Sequence, residues 1–111
     1  MRRELHLRPA AELELQEAYE WYEGQQFGLG GRFLLAFDAT IERVRRHPGS
    51  RGLFARATRR AFLRRFPWFF LYICDGPDIV ITAVSRTRRD PRSWSGRVRE
   101  AVPYGAVYAI A

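Results

Sequence analysis

Midway along the chain the apolar residues change their spacing, and this limits the available folds more than any other signal in the sequence. Up to Val44 they recur every three or four residues; from Arg59 onward they alternate in short runs. A helical stripe must be buried against something. When strands follow helices in this way, the economical solution is an α+β domain with the helices on one face of an antiparallel sheet.

The first segment, Arg3 to Arg8, alternates with Leu5 and Leu7 on one side and reads as a strand. Pro9 ends it and suits the first turn of a helix. Ala11, Leu15, Ala18 and Tyr22 then lie on one helical face, and Glu12, Glu14 and Glu17 fall in the early turns, where the macrodipole favours acids. This predicts a helix from about Pro9 to Gln26. Gly28, Gly30 and Gly31 break the chain. Phe33, Phe37, Ile41 and Val44 form a second stripe, closed by Arg45, Arg46 and His47 before Pro48 and Gly49. Two antiparallel helices result.

Arg59 to Phe66, Trp68 to Cys74 and Asp78 to Arg86 are aromatic or β-branched runs bounded by Pro67 and the Asp75-Gly76-Pro77 turn. They predict a three-strand antiparallel meander, so the layout is β-α-α-β-β-β, a helical hairpin packed on one face of a small curved antiparallel sheet. In the run from Trp68 to Cys74, Phe69, Leu71 and Ile73 make one wholly apolar face, expected to meet the helices. Trp68, Phe70, Tyr72 and Cys74 make the other, which forms second-side core or lines a groove through the polar handles of Trp68 and Tyr72. In the run from Arg59 to Phe66, arginines occur at both parities.

All 19 basic side chains are arginine, against 12 acids, for a net charge of +7. Residues 1 to 42 carry −4 and residues 43 to 111 carry +11. The second half should build a basic surface that attracts an anionic partner, nucleic acid or an acidic protein segment, unless it is simply a solvated face. With 47% hydrophobic residues the chain is not of the disordered class. Its uncharged runs are too short to span a membrane, and nothing near Arg2 and Arg3 has the apolar core of a signal peptide, so a cytoplasmic location with no membrane partner is expected.

Most catalytic patterns are missing. One cysteine, Cys74, with His6 and His47, is too few ligands for a zinc site, so neither metal nor cofactor is expected; Cys74 is expected to be buried and inert. No nucleophile elbow accompanies the two histidines. Gly28 to Gly31 follow a helix and lack the lysine of a P-loop, so they punctuate helices. Glu17, Glu20 and Glu23 are read as the wet face of the first helix. What remains is a set of arginines, Arg59, Arg60, Arg64 and Arg65 together with Arg86, Arg88, Arg89 and Arg92, interleaved with Trp68 and Tyr72. Such a set fits a nucleotide chain, through phosphate contacts and base stacking, or protein carboxylates. Arg88-Arg89-Asp90-Pro91 also reads as a turn closed by an internal ion pair.

Taken in order, Pro9-Ala10-Ala11-Glu12-Leu13-Glu14-Leu15, Trp21-Tyr22-Glu23, Gly28-Leu29-Gly30, Arg32-Phe33, His47-Pro48, Arg59 to Pro67, Tyr72, Arg88-Arg89-Asp90-Pro91 and Trp94 resemble the RelE/ParE superfamily of toxins from type II toxin–antitoxin modules. Members of this group are often labelled plasmid stabilisation proteins. The resemblance covers about residues 7 to 94 and implies one toxin domain over residues 1–95. Residues 96–111 are then a C-terminal extension offering an extra strand or an interface segment. It also implies a cognate acidic antitoxin whose extended tail wraps the sheet and the hairpin, in a toxin–antitoxin hetero-oligomer; a homodimer is the other assembly considered.

The superfamily divides into two activities. RelE-like members cleave mRNA on the ribosome, and a matching set here would be Arg59, Arg64, Arg86, Arg89 and Tyr72. ParE-like members poison DNA gyrase and are not enzymes in their own right. The chain has no lysine to match the RelE-type active site, and its Trp-Tyr and Gly-Leu-Gly hairpin is more similar to the ParE branch, so gyrase is the expected target. Arg86 stands where many relatives have histidine, which leaves a third reading, a relic that only binds its antitoxin.

Overall fold

The computed structural model describes residues 4–50 and 53–87. Arg88, Arg89, Arg92, the Asp90-Pro91 turn, Trp94 and the 96–111 extension lie outside the described residues. The chain runs β1 (Leu5–Leu7), α1 (Pro9–Gln25), α2 (Leu29–Arg46), a 3₁₀ turn (Pro48–Ser50), β2 (Leu53–Ala55), β3 (Thr58–Phe62), β4 (Trp68–Asp75) and β5 (Asp78–Arg86). This is the expected α+β arrangement, two helices on one face of a sheet, with one strand more than expected.

The extra strand changes the sheet. β2 is three residues long and turns into β3 through Arg56, which has a left-handed φ of 53°, without the glycine or asparagine that usually marks such a turn. Its presence reverses the chain once more before β5. The strand order is β1-β5-β4-β3-β2, and β1 lies parallel to β5, pairing Leu5 with Ile79 and Leu7 with Ile81. The sheet is therefore mixed, not wholly antiparallel. β4 and β5 form a hairpin closed by Gly76 at φ 59°, and β3 stops at Phe62 instead of running on to Phe66, because the chain turns back from Leu63 to Trp68. Arg65 in that turn takes a φ of 70°.

The helical stripes fold as the spacing requires. Ala11, Ala18 and Tyr22 of α1 and Phe33, Phe37, Ile41 and Val44 of α2 are buried in one cluster with Trp68, Phe70, Tyr72, Ile79, Ile81 and Val84. Each large apolar side chain so buried contributes on the order of 1.5–3 kcal/mol. This corrects the expected facing of β4. Trp68, Phe70 and Tyr72 meet the helices, whereas Phe69 and Leu71 pack with Ala83, and Ile73 with Val80, in clusters that draw no described helix residue. Both faces of β4 are apolar, so alternation alone could not choose. The polar handles decided it: Trp68 Nε1 donates to Tyr22 Oη at 2.9 Å, and Tyr72 Oη donates to the Pro48 carbonyl at 2.8 Å. With those partners both rings enter the core at little polar cost.

Two carboxylates on α1 hold the frame together. β1 flanks only the first part of β5, and further along Glu14 Oε1 accepts the Val84 N–H at 3.0 Å. Glu23, read from the sequence as a solvated acid, instead accepts the N–H groups of Gly28 and Gly30, each at 2.9 Å. It caps the start of α2, where no residue of the first turn is acidic. Gly28 is left-handed at φ 87°, and a Cβ on Gly30 would lie 2.7 Å from the Tyr19 carbonyl oxygen. The glycines punctuate the hairpin, as the sequence indicates, and one of them also lets the two helices approach.

Candidate partner-binding site

The described arginines do not converge on one cradle. Register and contacts divide them among three places. Arg59 lies opposite Tyr72, and its guanidinium reaches the Gly49 carbonyl at 3.5 Å, beside the end of α2. Arg60, its neighbour, points to the other face of the sheet. There its guanidinium carbon sits 4.8 Å from the ring centres of Phe54 and Phe62 and 5.6 Å from that of Phe69. Alternation along a strand makes this separation unavoidable, since adjacent residues face opposite sides.

Arg64, Arg65 and Arg86 lie at the Trp68 end of β4, away from the Tyr72 row that holds Arg59. The first two occupy the turn from Leu63 to Trp68, and Arg86 pairs in register with Trp68. All three are exposed. Phe66 anchors this turn to the hairpin, its ring 5.1 Å from Tyr22 and 5.5 Å from Phe33. Arg86 lies over the indole of Trp21 at 4.7 Å and 5.6 Å from that of Trp68. A guanidinium held against an indole face keeps its N–H groups directed outward in a limited set of orientations, which favours recognition of a carboxylate or a phosphate.

Of the aromatic residues expected among the arginines, neither is available for stacking. Trp68 is 6% exposed and Tyr72 is fully buried. Trp21, Phe54 and Phe62 take their place, with Trp21 and Phe62 about half exposed. For Trp21 the sequence signal was ambiguous. It sits at the border of the buried stripe, about 100° from Tyr22 but only about 60° from Ala18, so the spacing by itself left its burial open. Cys74 is half-buried at the end of β4, less enclosed than expected. His6 is exposed and lies 3.5 Å from Asp78.

The site therefore has two parts: a basic end formed by Arg64, Arg65, Arg86 and Trp21, and, on the far face of the sheet, Arg60 ringed by phenylalanines beside the edge strand β2. Both offer cationic donors next to apolar surface. Asp38 on α2, whose pKa is raised by desolvation and then by its neighbour Glu42, belongs to neither patch. Among the described residues, no helix is long and apolar enough to cross a membrane.

Comparison with known proteins agrees with the fold. No family model matches the chain, and no curated protein matches it. Among solved structures, the chain is similar to one described as "Chromosomal ParDE TA system from P. aeruginosa", with 20% sequence identity and a TM-score of 0.57. The match covers 77% of this chain and 96% of that one. At that identity it is the fold that is shared.

Proposed function

We propose that this chain is the toxin of a type II toxin–antitoxin module, ParE-like in its action, that it targets DNA gyrase without being an enzyme itself, and that a cognate acidic antitoxin silences it. The observation that carries this reading is the fold likeness to the ParDE structure, which spans nearly the whole of that chain. The charge distribution supports it. An antitoxin tail rich in Asp and Glu would order on binding and pair with the +11 half of the sequence, where arginine offers forked donors to carboxylates. Arg60 with Phe54 and Phe62 beside the edge strand, and Arg86 with Trp21, are the contacts we assign to it first. Arg59, Arg64 and Arg65, with Arg88, Arg89 and Arg92 outside the described residues, complete the surface we assign to antitoxin or target.

Ribosome-dependent mRNA cleavage is less well supported. Tyr72, which would have to reach a scissile phosphate, is buried and its hydroxyl donates to Pro48, while Arg59 and Arg86 are set on the rows of Tyr72 and Trp68, roughly 13 Å apart along β4. The deciding experiment is induction of the chain in a bacterial host, with parallel readouts of DNA damage response and mRNA integrity, followed by supercoiling and DNA-cleavage assays on purified gyrase. Growth arrest with a damage response and gyrase-dependent cleavage is expected. Arrest with cut message and untouched gyrase would replace this reading by the RelE-like one, and the absence of arrest would leave the antitoxin-binding relic.

A further inference from the structure

The face of the sheet turned away from the helices is buried, yet no layer of described residues lies over it. Leu71, Ile73 and Ala83 are each 0% exposed and Phe69 is 3% exposed. Ser85, opposite Phe69, and Thr58, which shares the parity of Arg60, are 1% exposed. Side chains stand roughly perpendicular to a sheet, so those at the centre of an open face stay wet unless a second layer packs on them, about 10 Å away. Among the described residues, the apolar side chains that join this face come from the sheet itself. Phe54 and Ala55 pack beside Phe69, Leu71 and Ala83, and the cluster of Ile73 and Val80 draws in no other apolar side chain.

We infer that the cover is a segment of this same chain, residues 101–111. Residues 1–3 and 51–52, also outside the described part, are too short to form a layer. The 101–111 segment is uncharged and carries Val102, Tyr104, Val107, Tyr108 and Ile110, so it can enter an apolar interface without stranding a charge, as the arginine-rich stretch before it cannot. Its reach fits. The Thr87 N–H donates to the Pro67 carbonyl at 3.0 Å, which fixes where the chain leaves β5, at the Phe69 end of the face. From there the row of Ile73 and Val80 is roughly 20 Å away along the strand. Residues 88–100 span on the order of 40 Å when extended. The fold comparison leaves room for such a layer, since the match takes in 96% of the ParDE chain but 77% of this one. With the centre of the face filled, a partner on this side meets its rim, where Leu53 is 61% and Phe62 50% exposed next to Arg60. The inference depends on neither the antitoxin nor the gyrase assignment.

Methyl-to-methyl nuclear Overhauser contacts in the isolated full chain test it. Contacts are expected between Leu71, Ile73 or Val80 and Val102, Val107 or Ile110, and in a mixture of differently labelled chains they should stay within one chain. The double substitution Val107→Asp with Ile110→Asp, made in the full chain, should lower the melting temperature by about 10 °C and raise the binding of a hydrophobic dye severalfold. Free-tail signals from Val102, Val107 and Ile110 would overturn the inference. So would contacts that cross between chains, which give the face to a second copy, or contacts on Leu71 and Ile73 that arise only when a glutamate-rich peptide is added, which give it to a partner. A double variant that melts and binds dye as the unaltered chain does would also overturn it. If that variant fails to fold, the Overhauser contacts of the unaltered chain decide alone.

Discussion

Replacing Tyr22 by phenylalanine deletes one oxygen from the interior and leaves the shape of the core unchanged. That oxygen accepts the Trp68 Nε1–H at 2.9 Å, between residues that are 8% and 6% exposed. The Tyr22 ring also stacks on Phe33 at 5.1 Å and meets Phe66 edge-on at 5.1 Å, contacts that phenylalanine keeps. The variant therefore isolates the hydrogen bond. Leaving a buried indole N–H without an acceptor costs about 1–3 kcal/mol, most of it the desolvation of the stranded donor. For a domain of this size each kcal/mol lowers Tm by about 4 °C or more. Urea unfolding followed by far-ultraviolet circular dichroism should show a lower midpoint at an unchanged m-value. Changing Trp68 to phenylalanine as well removes the donor, so the double variant should be less destabilised than the two single losses added together, by about 1 kcal/mol. A loss below about 0.5 kcal/mol for Tyr22→Phe, the scale of an ordinary surface change, would refute the argument that this bond is what lets Trp68 face inward.

Three further outcomes are expected. Glu23→Ala removes the acceptor of two helix N-terminal N–H groups and should cost about 1–2 kcal/mol in urea unfolding, as loss of an N-cap does. Gly30→Ala places a Cβ 2.7 Å from the Tyr19 carbonyl oxygen and should cost about 1–3 kcal/mol, whereas Gly31→Ala, with open space around it, should gain up to about 1 kcal/mol; equal melting temperatures for the two would contradict the close approach of the helices. Asp38, whose pKa is raised by desolvation and then by Glu42, binds its proton more tightly folded than unfolded, so its contribution to stability is lost as pH rises from 3.8 through the raised value. Asp38→Asn should therefore stabilise the chain at neutral pH and lose that advantage in acid, which thermal melts at the two pH values can check.

The candidate site was partly legible. That arginine would dominate it was visible from composition, whereas Trp21, at the border of the buried stripe, could have faced either way. The division of Arg59 from Arg60 follows from strand alternation alone, yet which of them would share a face with the helices depended on β4 and hence on packing. The roles of Phe54 and Phe62 were hidden because β2 is too short and its turn too ordinary to register as a strand.

By itself the sequence determined the elements whose signals are local. Proline at the first turn of α1, basic residues and His47 at the end of α2, glycines between the helices and the Asp75-Gly76-Pro77 turn act within a few residues, and α2 and β5 fall where these signals place them. Only the tertiary structure decided which face of β4 is inside, that β1 runs parallel to β5, and that Glu14 and Glu23 are structural acceptors instead of solvated charges. Each of these depends on a partner brought near by folding: the Tyr22 hydroxyl for Trp68, an unforeseen strand for the direction of β5, the Val84 N–H for Glu14. A side chain with both apolar bulk and a polar tip is stable inside or outside according to whether that tip finds its partner, and no local pattern reveals this.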